Sequence, residues 1–160
     1  MTPRLSRVRA DRRWLMPTDE EFLTGNGDVI REFRSNAGAV ASLGFPVLLL
    51  TTTGARTGRP RTSPLGFGVD RGRVFVVASK GGAPAHPAWF HNLRANPVVT
   101  VELGDATYQA RAVVPEGDER DRLFGILAAE SPSLREYAHS TARRIPIVVL
   151  EGVPPPTASA

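Results

Sequence analysis

Three short clusters of this sequence hold residue types that could bind an anion. In the first, residues 51–65, Arg56, Arg59 and Arg61 occur within six residues of a loop rich in Gly and Pro. Guanidinium groups can grip a phosphate or a carboxylate through two parallel hydrogen bonds, and nearby glycines let main-chain N–H groups approach the same anion. The loop is therefore predicted to bind an anion, although a solvated basic turn would have the same composition.

The second cluster, residues 77–84, ends an apolar stretch with Ser79, Lys80 and two glycines. The glycines follow the lysine, so this is not a Walker loop. A hydroxyl at the end of a strand could donate to a ring carbonyl, and Lys80 could join the arginines around one anion. A plain turn is the alternative interpretation.

The third cluster, residues 86–97, contains Trp89 and Phe90 together with two histidines. Aromatic side chains in such a stretch belong to a hydrophobic core more often than to a cofactor site. His86 and His91 are five residues apart, which would place them on different faces of a helix, and no third histidine or acidic ligand set accompanies them. No metal site is predicted.

The sequence contains no recognisable set of side chains that could catalyse a reaction without a cofactor. The sequence has no G-x-S-x-G elbow and no recognisable Ser/His/Asp spacing, and without cysteine it has no thiol nucleophile. Glu119 and Asp121 fall in a charged helical stretch and are interpreted as solvated. Any chemistry therefore points to a bound cofactor.

The composition favours an anionic small molecule over nucleic acid. Lys and Arg number 20 against 16 acidic residues, and since Lys80 is the single lysine, 19 of the 20 are Arg. A net charge of +4 is small, and no stretch interleaves aromatic with basic residues as a stacking platform does. The absence of cysteine fits a reducing cytoplasm, and the longest apolar run, residues 45–50, is too short to span a membrane.

The 160 residues fit one domain, predicted over residues 17–152. Residues 1–16, with five arginines and few apolar residues, read as a mobile basic leader, and Met16 offers an alternative start. The leader is interpreted as a solvated tail, with a peripheral contact to an anionic membrane surface as the alternative. Residues 153–160 form a Pro-rich tail.

Apolar periodicity and turn residues predict an α+β fold built on a split β-barrel of about six mostly antiparallel strands with peripheral helices. No G-x-G-x-x-G follows a strand, which argues against a doubly wound sheet. Residues 70–72 and 104–105 are predicted hairpin turns. The predicted strands cover residues 47–53, 61–69, 73–79, 98–103, 106–114 and 145–150, and the predicted helices cover about residues 28–35, 87–95, 118–131 and 134–139, with Asp118 as a cap.

Taken in order, these clusters resemble the deazaflavin-dependent nitroreductase family, also called the flavin/deazaflavin oxidoreductases of the A type. The resemblance runs from about Phe45 to Glu151 and is carried by the stretches LLLTTTGARTGRPRTSPL, FVVASKGGAPAHPAWFHNLRANPVVTVEL, ERDRLF and RRIPIVVLE. It implies a split β-barrel that uses coenzyme F420, whose tail carries a phosphodiester and glutamates. By the resemblance, Arg56, Arg61 and Lys80 would bind that anionic tail. The residues implied to line the coenzyme are Thr57, Pro64, Leu65, Gly66, Val77, Ala78, Ser79, Ala88, Trp89, Phe90, His91 and Asn92.

The resemblance also implies an activity, in which the reduced deazaflavin gives a hydride to a quinone, an enone or unsaturated lactone, or a nitroaromatic. Ser79 and Tyr137 are predicted to donate hydrogen bonds or a proton to the acceptor. Where relatives have further tyrosines, this chain has Leu134 and Ser140, which weighs against nitroimidazoles as acceptors. An FMN-binding oxidoreductase and a non-enzymatic F420 carrier are the alternatives, and the chain is expected to be a monomer or a homodimer.

Overall fold

A computed structural model describes residues 19–43 and 46–156 of the chain. The predicted leader, residues 1–16, and the last four residues of the predicted tail lie outside these ranges. No helix in the described part is long and apolar enough to cross a membrane. The strands are β1 (Val47–Thr53), β2 (Pro60–Gly66), β3 (Gly68–Asp70), β4 (Arg73–Val77), β5 (Val98–Leu103), β6 (Ala106–Val113) and β7 (Ile147–Glu151), and the helices are α1 (Asp19–Ser35), α2 (Ala88–Ala95), α3 (Gly117–Glu130) and α4 (Pro132–Ser140).

The strands form one antiparallel sheet in the order β2-β1-β5-β6-β7-β4-β3. Its two edge strands, β2 and β3, follow one another in the chain and are separated only by the buried Phe67. The sheet must therefore curl until its edges nearly meet. No ladder among the described residues pairs β2 with β3, so the sheet is curled but open.

The prediction of one strand over residues 61–69 is wrong, because these residues form two strands on opposite edges of the sheet, which has seven strands where about six were predicted. The break falls at Phe67, between two glycines. Gly68 pairs with Phe75 of β4, and a Cβ atom built on Gly68 would lie 2.6 Å from Phe75 Cζ. Only glycine, which has no side chain, lets the segment that follows β2 end its pairing with β1 and pair this closely with β4.

Both faces of the central strands are covered, which explains their uninterrupted apolar sequences. Along β1, Leu48 and Leu50 belong to the main core, whereas Val47 and Leu49 pack with Phe33 of α1. Along β4, Val74 and Val76 face the same core, whereas Phe75 and Val77 pack in a second cluster with residues of α3 and α4. This alternation is the two-residue period of a strand.

Several predicted boundaries shift. Helix α1 begins at Asp19 rather than near residue 28, and Arg34 near its end donates to both carboxylate oxygens of Glu102 on β5, at 2.9 and 2.8 Å. Glu116, not Asp118, occupies the N-cap position of α3, because Gly117 turns the chain into the helix with a φ of 59°. Strand β7 begins at Ile147 rather than Ile145, after Pro146, which has no N–H to donate to a ladder. Both predicted hairpins are confirmed.

The antiparallel order brings the three anion-binding candidates to one end of the sheet, which we call the loop end. The strand pairs Thr53↔Pro60 and Val77↔Ile147 lie there, and Ala112 N donates to Pro97 O at 2.8 Å nearby. Consequently the connections β1–β2 (54–59), β4–β5 (78–97) and β6–β7 (114–146) all leave the sheet at the loop end. Connections far apart in the sequence thus leave the sheet at the same end.

Candidate active site

The β1–β2 loop is a compact turn that presents arginines to solvent. Gly54 N donates to Arg59 O at 2.8 Å, Gly58 N donates to Gly54 O at 2.9 Å, and Arg59 N donates to Thr57 Oγ1 at 3.2 Å. Gly58 has a φ of 69°, in the left-handed region that favours glycine. Arg56, Thr57, Arg59 and Arg61 are all exposed.

Two of the connections at the loop end, 54–59 and 78–97, carry cations and no acidic residue. Between Glu32 and Glu102 the only acidic residue is Asp70, which lies at the opposite end of the sheet and accepts from Arg122 at 2.8 Å. The loops 54–59 and 78–97 therefore contain no carboxylate of their own. Such a local excess of positive charge attracts an anionic ligand.

Asn92 ties the arginine loop to α2. This buried side chain donates through Nδ2 to Thr52 Oγ1 at 3.1 Å and accepts at Oδ1 from Ala55 N at 2.9 Å. Both polar atoms of Asn92 are thus used within the protein, immediately before Arg56. The structure thus gives Asn92 the task of fixing the loop, and the coenzyme contact that the resemblance implies for it stays a prediction.

The second cluster forms a tight turn after β4. Ser79 is fully buried, and its hydroxyl has no hydrogen-bond partner among the described residues. Lys80 to Gly82 make one 3₁₀ turn in which Lys80 has a φ of 48° and Gly82 a φ of 81°. A buried hydroxyl without a partner is rare and is often explained by a ligand or an ordered water. Ser79 is therefore suited to donate to a bound molecule.

Arg143, in the connection between α4 and β7, contacts the main chain of this turn with its side chain. Its guanidinium donates to the main-chain oxygens of Ser79 at 2.6 Å, Ala83 at 2.8 Å and Ala78 at 3.1 Å. Burial lowers the pKa of Arg143, but a guanidinium stays charged in proteins. No local pattern in the sequence, where Arg143 falls within RRIPIVVLE, indicates this role, since its partners lie about sixty positions away.

His86 is the fourth partner of Arg143. The two side chains meet at 2.9 Å between Arg143 Nη1 and His86 Nδ1, and because arginine can only donate, Nδ1 must accept. His86 is then neutral, with its proton on Nε2. Burial, followed by the charges of Arg143, His91 and Arg94, lowers the pKa of His86 in agreement with this assignment.

The predicted separation of the two histidines is wrong. His86 precedes α2 rather than belonging to it, and its ring centroid lies 5.7 Å from that of His91. Even so, the described residues contain no group of three His, Asp or Glu side chains arranged to hold a metal ion.

The remaining candidates divide between the loop end and the core. Ala88 and His91 are exposed on α2, whereas Trp89 and Phe90 are buried in the main core. Tyr137 is half-buried on α4 against the 80–82 turn, since a Cβ atom built on Gly82 would lie 3.2 Å from its Cβ. Pro64, Leu65 and Gly66 are buried in the half of β2 away from the loop end, and Val77 and Ala78 are buried where β4 ends.

Solved structures define the class to which this fold belongs. The chain is 40% identical to a structure described as an F420-H2 dependent reductase (FDR-A), with a TM-score of 0.60, over 66% of this chain and 94% of that one. A second structure, described as a domain-swapped dimer, is 36% identical with a TM-score of 0.62, over 78% and 98% of the two chains. The fold is that of the F420H2-dependent reductases.

The particular family follows from the sequence. The chain belongs to the F420H(2)-dependent quinone reductase family, whose model matches residues 26–152. It is 42% identical over 108 residues to an F420H(2)-dependent quinone reductase of Mycobacterium tuberculosis, covering 66% of this chain and 72% of the relative. The resemblance noted from the sequence is confirmed.

Proposed function

We propose that this protein is an oxidoreductase that transfers a hydride from reduced coenzyme F420 to a quinone. The observation that carries this function is at the loop end, where the connections 54–59 and 78–97 carry cations and no carboxylate and where the buried hydroxyl of Ser79 has no partner among the described residues. The name of the family supports the coenzyme and the class of acceptor. Enones, unsaturated lactones and nitroaromatics are alternative acceptors.

The residues of the loop end fit the anionic coenzyme. Arg56, exposed in the β1–β2 loop, Arg61, exposed at the start of β2, and Lys80, in the turn after β4, would hold its phosphodiester and glutamate tail by charge-assisted hydrogen bonds. Thr57, Ala88 and His91, which are also exposed, would line the coenzyme beside these cations. Trp89 and Phe90 would contribute from the core side of α2.

Reduced F420 supplies the hydride, so the chain needs no nucleophile of its own. Its residues have to orient the ligands and to stabilise the negative charge that develops on an acceptor oxygen. Ser79 would donate its hydroxyl hydrogen to such an oxygen, in a buried position where a hydrogen bond is stronger than in water. Tyr137, half-buried beside the same turn, would donate the proton that completes the hydroquinone.

We also infer that the curled sheet is a split barrel. The support is topological, because one residue, Phe67, connects the two edge strands. For the oligomeric state, the related domain-swapped dimer favours a homodimer over a monomer.

Coenzyme titration and turnover test the function together. Wild-type protein should bind F420 saturably at micromolar concentrations and should reduce a quinone when a dehydrogenase regenerates F420H2. Replacing Arg56 or Lys80 by Ala should weaken binding about tenfold or more, the effect of losing one charge-assisted contact. Arg31→Ala, at an exposed arginine of α1, is the matched control and should bind normally.

Other outcomes discriminate the alternatives. Saturable binding of F420 without any quinone turnover would make the protein a carrier. Purification with a yellow chromophore, together with tight FMN binding and no F420 binding, would make it an FMN protein. Unchanged F420 affinity in both cation variants would refute the proposed site.

A further inference from the structure

Arg143 concentrates four contacts on one short segment of the chain. Three are charge-assisted hydrogen bonds to main-chain oxygens of residues 78, 79 and 83, and the fourth is to His86 Nδ1. Four of its five N–H groups are thereby used. Its guanidinium is half-buried and none of these contacts is to a carboxylate, so its charge is directed at the turn itself.

The segment that Arg143 holds is one that would relax without support. Lys80 has a left-handed backbone, which is unfavourable for a residue with a side chain and persists only where its surroundings enforce it. Helix α4 also packs against Gly82, closely enough that a Cβ atom there would lie 2.6 Å from Ser140 Oγ. Both α4 and Arg143 thus contact the turn.

The main chain at Arg143 is itself anchored. Arg120 of α3 donates to the main-chain oxygen of Ile145 through Nε at 3.0 Å and Nη2 at 2.7 Å, and Ile145 is fully buried. Arg143 N donates to Thr141 Oγ1 at 3.3 Å. A fixed backbone on either side of Arg143 lets its side chain act as a rigid support.

We propose that Arg143 is the positioning residue of the coenzyme site, which fixes the 78–83 turn so that Ser79 and Lys80 meet the ligand and holds His86 as the neutral tautomer with its proton on Nε2. This inference rests on the proposed function. It extends that function to a residue remote in sequence from every predicted coenzyme contact. Lysine cannot replace Arg143, because its three donors lack the planar fork that reaches four acceptors at once.

The tautomer of His86 can be determined by NMR in protein that has no coenzyme bound. In ¹⁵N NMR spectra at neutral pH, wild-type His86 should show an unprotonated Nδ1 and a protonated Nε2. Arg143→Gln and Arg143→Lys should lose this single-tautomer signature. Arg144→Gln, at an exposed neighbour whose side chain contacts Asp121, is the matched control and should keep it.

Coenzyme affinity separates positioning from general stabilisation. At a temperature where thermal unfolding shows every variant to be folded, Arg143→Gln and Arg143→Lys should bind F420 about tenfold more weakly than wild type. They should also reduce quinone more slowly at saturating F420, whereas Arg144→Gln should match wild type. Arg143→Lys guards against a glutamine variant that fails to fold.

Two results would overturn the inference, namely a wild-type His86 with its proton on Nδ1, or folded Arg143 variants that bind F420 within about twofold of wild type. Failure of the proposed function would give a result different from these two. Wild-type protein would then bind no F420 at all, while the Arg143-dependent signature of His86 persisted. In that case the coenzyme role of Arg143 falls with the function and only its hold on the turn survives.

Discussion

Replacing Asn92 by Ala should both destabilise the protein and loosen its arginine loop. The amide of Asn92 joins two parts of the chain, since it donates to Thr52 Oγ1 at 3.1 Å and accepts from Ala55 N at 2.9 Å. Thr52 is 1% exposed and Asn92 is 7% exposed, so little water can replace the lost partners. The variant leaves a hydroxyl and a main-chain N–H without their hydrogen bonds.

The magnitude follows from these two contacts. A buried group left without its partner costs about 1–3 kcal/mol, and the N–H of Ala55, an exposed residue, can recover part of that from water. We therefore expect Asn92→Ala to lower the free energy of unfolding by about 2–4 kcal/mol. For a chain of this size each kcal/mol shifts Tm by roughly 2–4 °C.

Urea unfolding and F420 titration check this expectation. Asn96→Ala is the matched control, because Asn96 is exposed at the end of the same helix. Asn92→Ala should also bind F420 more weakly at a temperature where it is folded, since Arg56 follows directly after the released Ala55. The reasoning is wrong if Asn92→Ala and Asn96→Ala unfold at the same urea concentration.

Three further predictions concern the fold. Gly68→Ala should lose about 1–3 kcal/mol in urea unfolding, because its new Cβ would lie 2.6 Å from the Phe75 ring, and a wild-type midpoint would show that the ring moves freely. Gly125→Ala, in the open middle of α3 with nothing within 4 Å, should instead gain about 0.5–1 kcal/mol, and a loss would contradict the packing described. Arg122 is the main cause that lowers the pKa of Glu119 to about 2 from 4.5, so the stability from Glu119 is complete above about pH 4.5 and disappears toward pH 2. In low salt the difference in free energy of unfolding between wild type and Glu119→Gln should disappear as the pH falls over that range. A difference that stays constant would argue against the ion pairs.

Local pattern was enough to place most strands and the chemistry at their ends. The apolar runs in β1, β4 and β7 and the turn residues that follow them predicted the end of β1 at Thr53, and placed the ends of β4 and β7 close to Val77 and Glu151. Alternation of strand direction then brings the connections 54–59 and 78–97 to one end. The composition of those loops, with arginine, lysine and no acid, is also visible in the sequence.

Long-range contacts explain what the sequence did not predict. The local sequence does not distinguish one strand over residues 61–69 from two strands on opposite edges. The choice between them depends on the packing of Gly68 against Phe75. Likewise Asn92 has the residue type of a ligand contact, and only its distances to Thr52 and Ala55 show a structural task. Arg143 acts on residues that precede it by about sixty positions.

The central claim, that the loop end binds an anionic coenzyme, can be tested at one atom. Lys80 is the only lysine of the chain, so an amine-reactive reagent labels its Nζ and otherwise only the chain's α-amino group. Mass spectrometry should show that F420 protects Lys80 from acylation in a saturable manner, with half-protection at the concentration that half-saturates binding. Labelling of Lys80 at the same rate with and without saturating F420 would contradict the account.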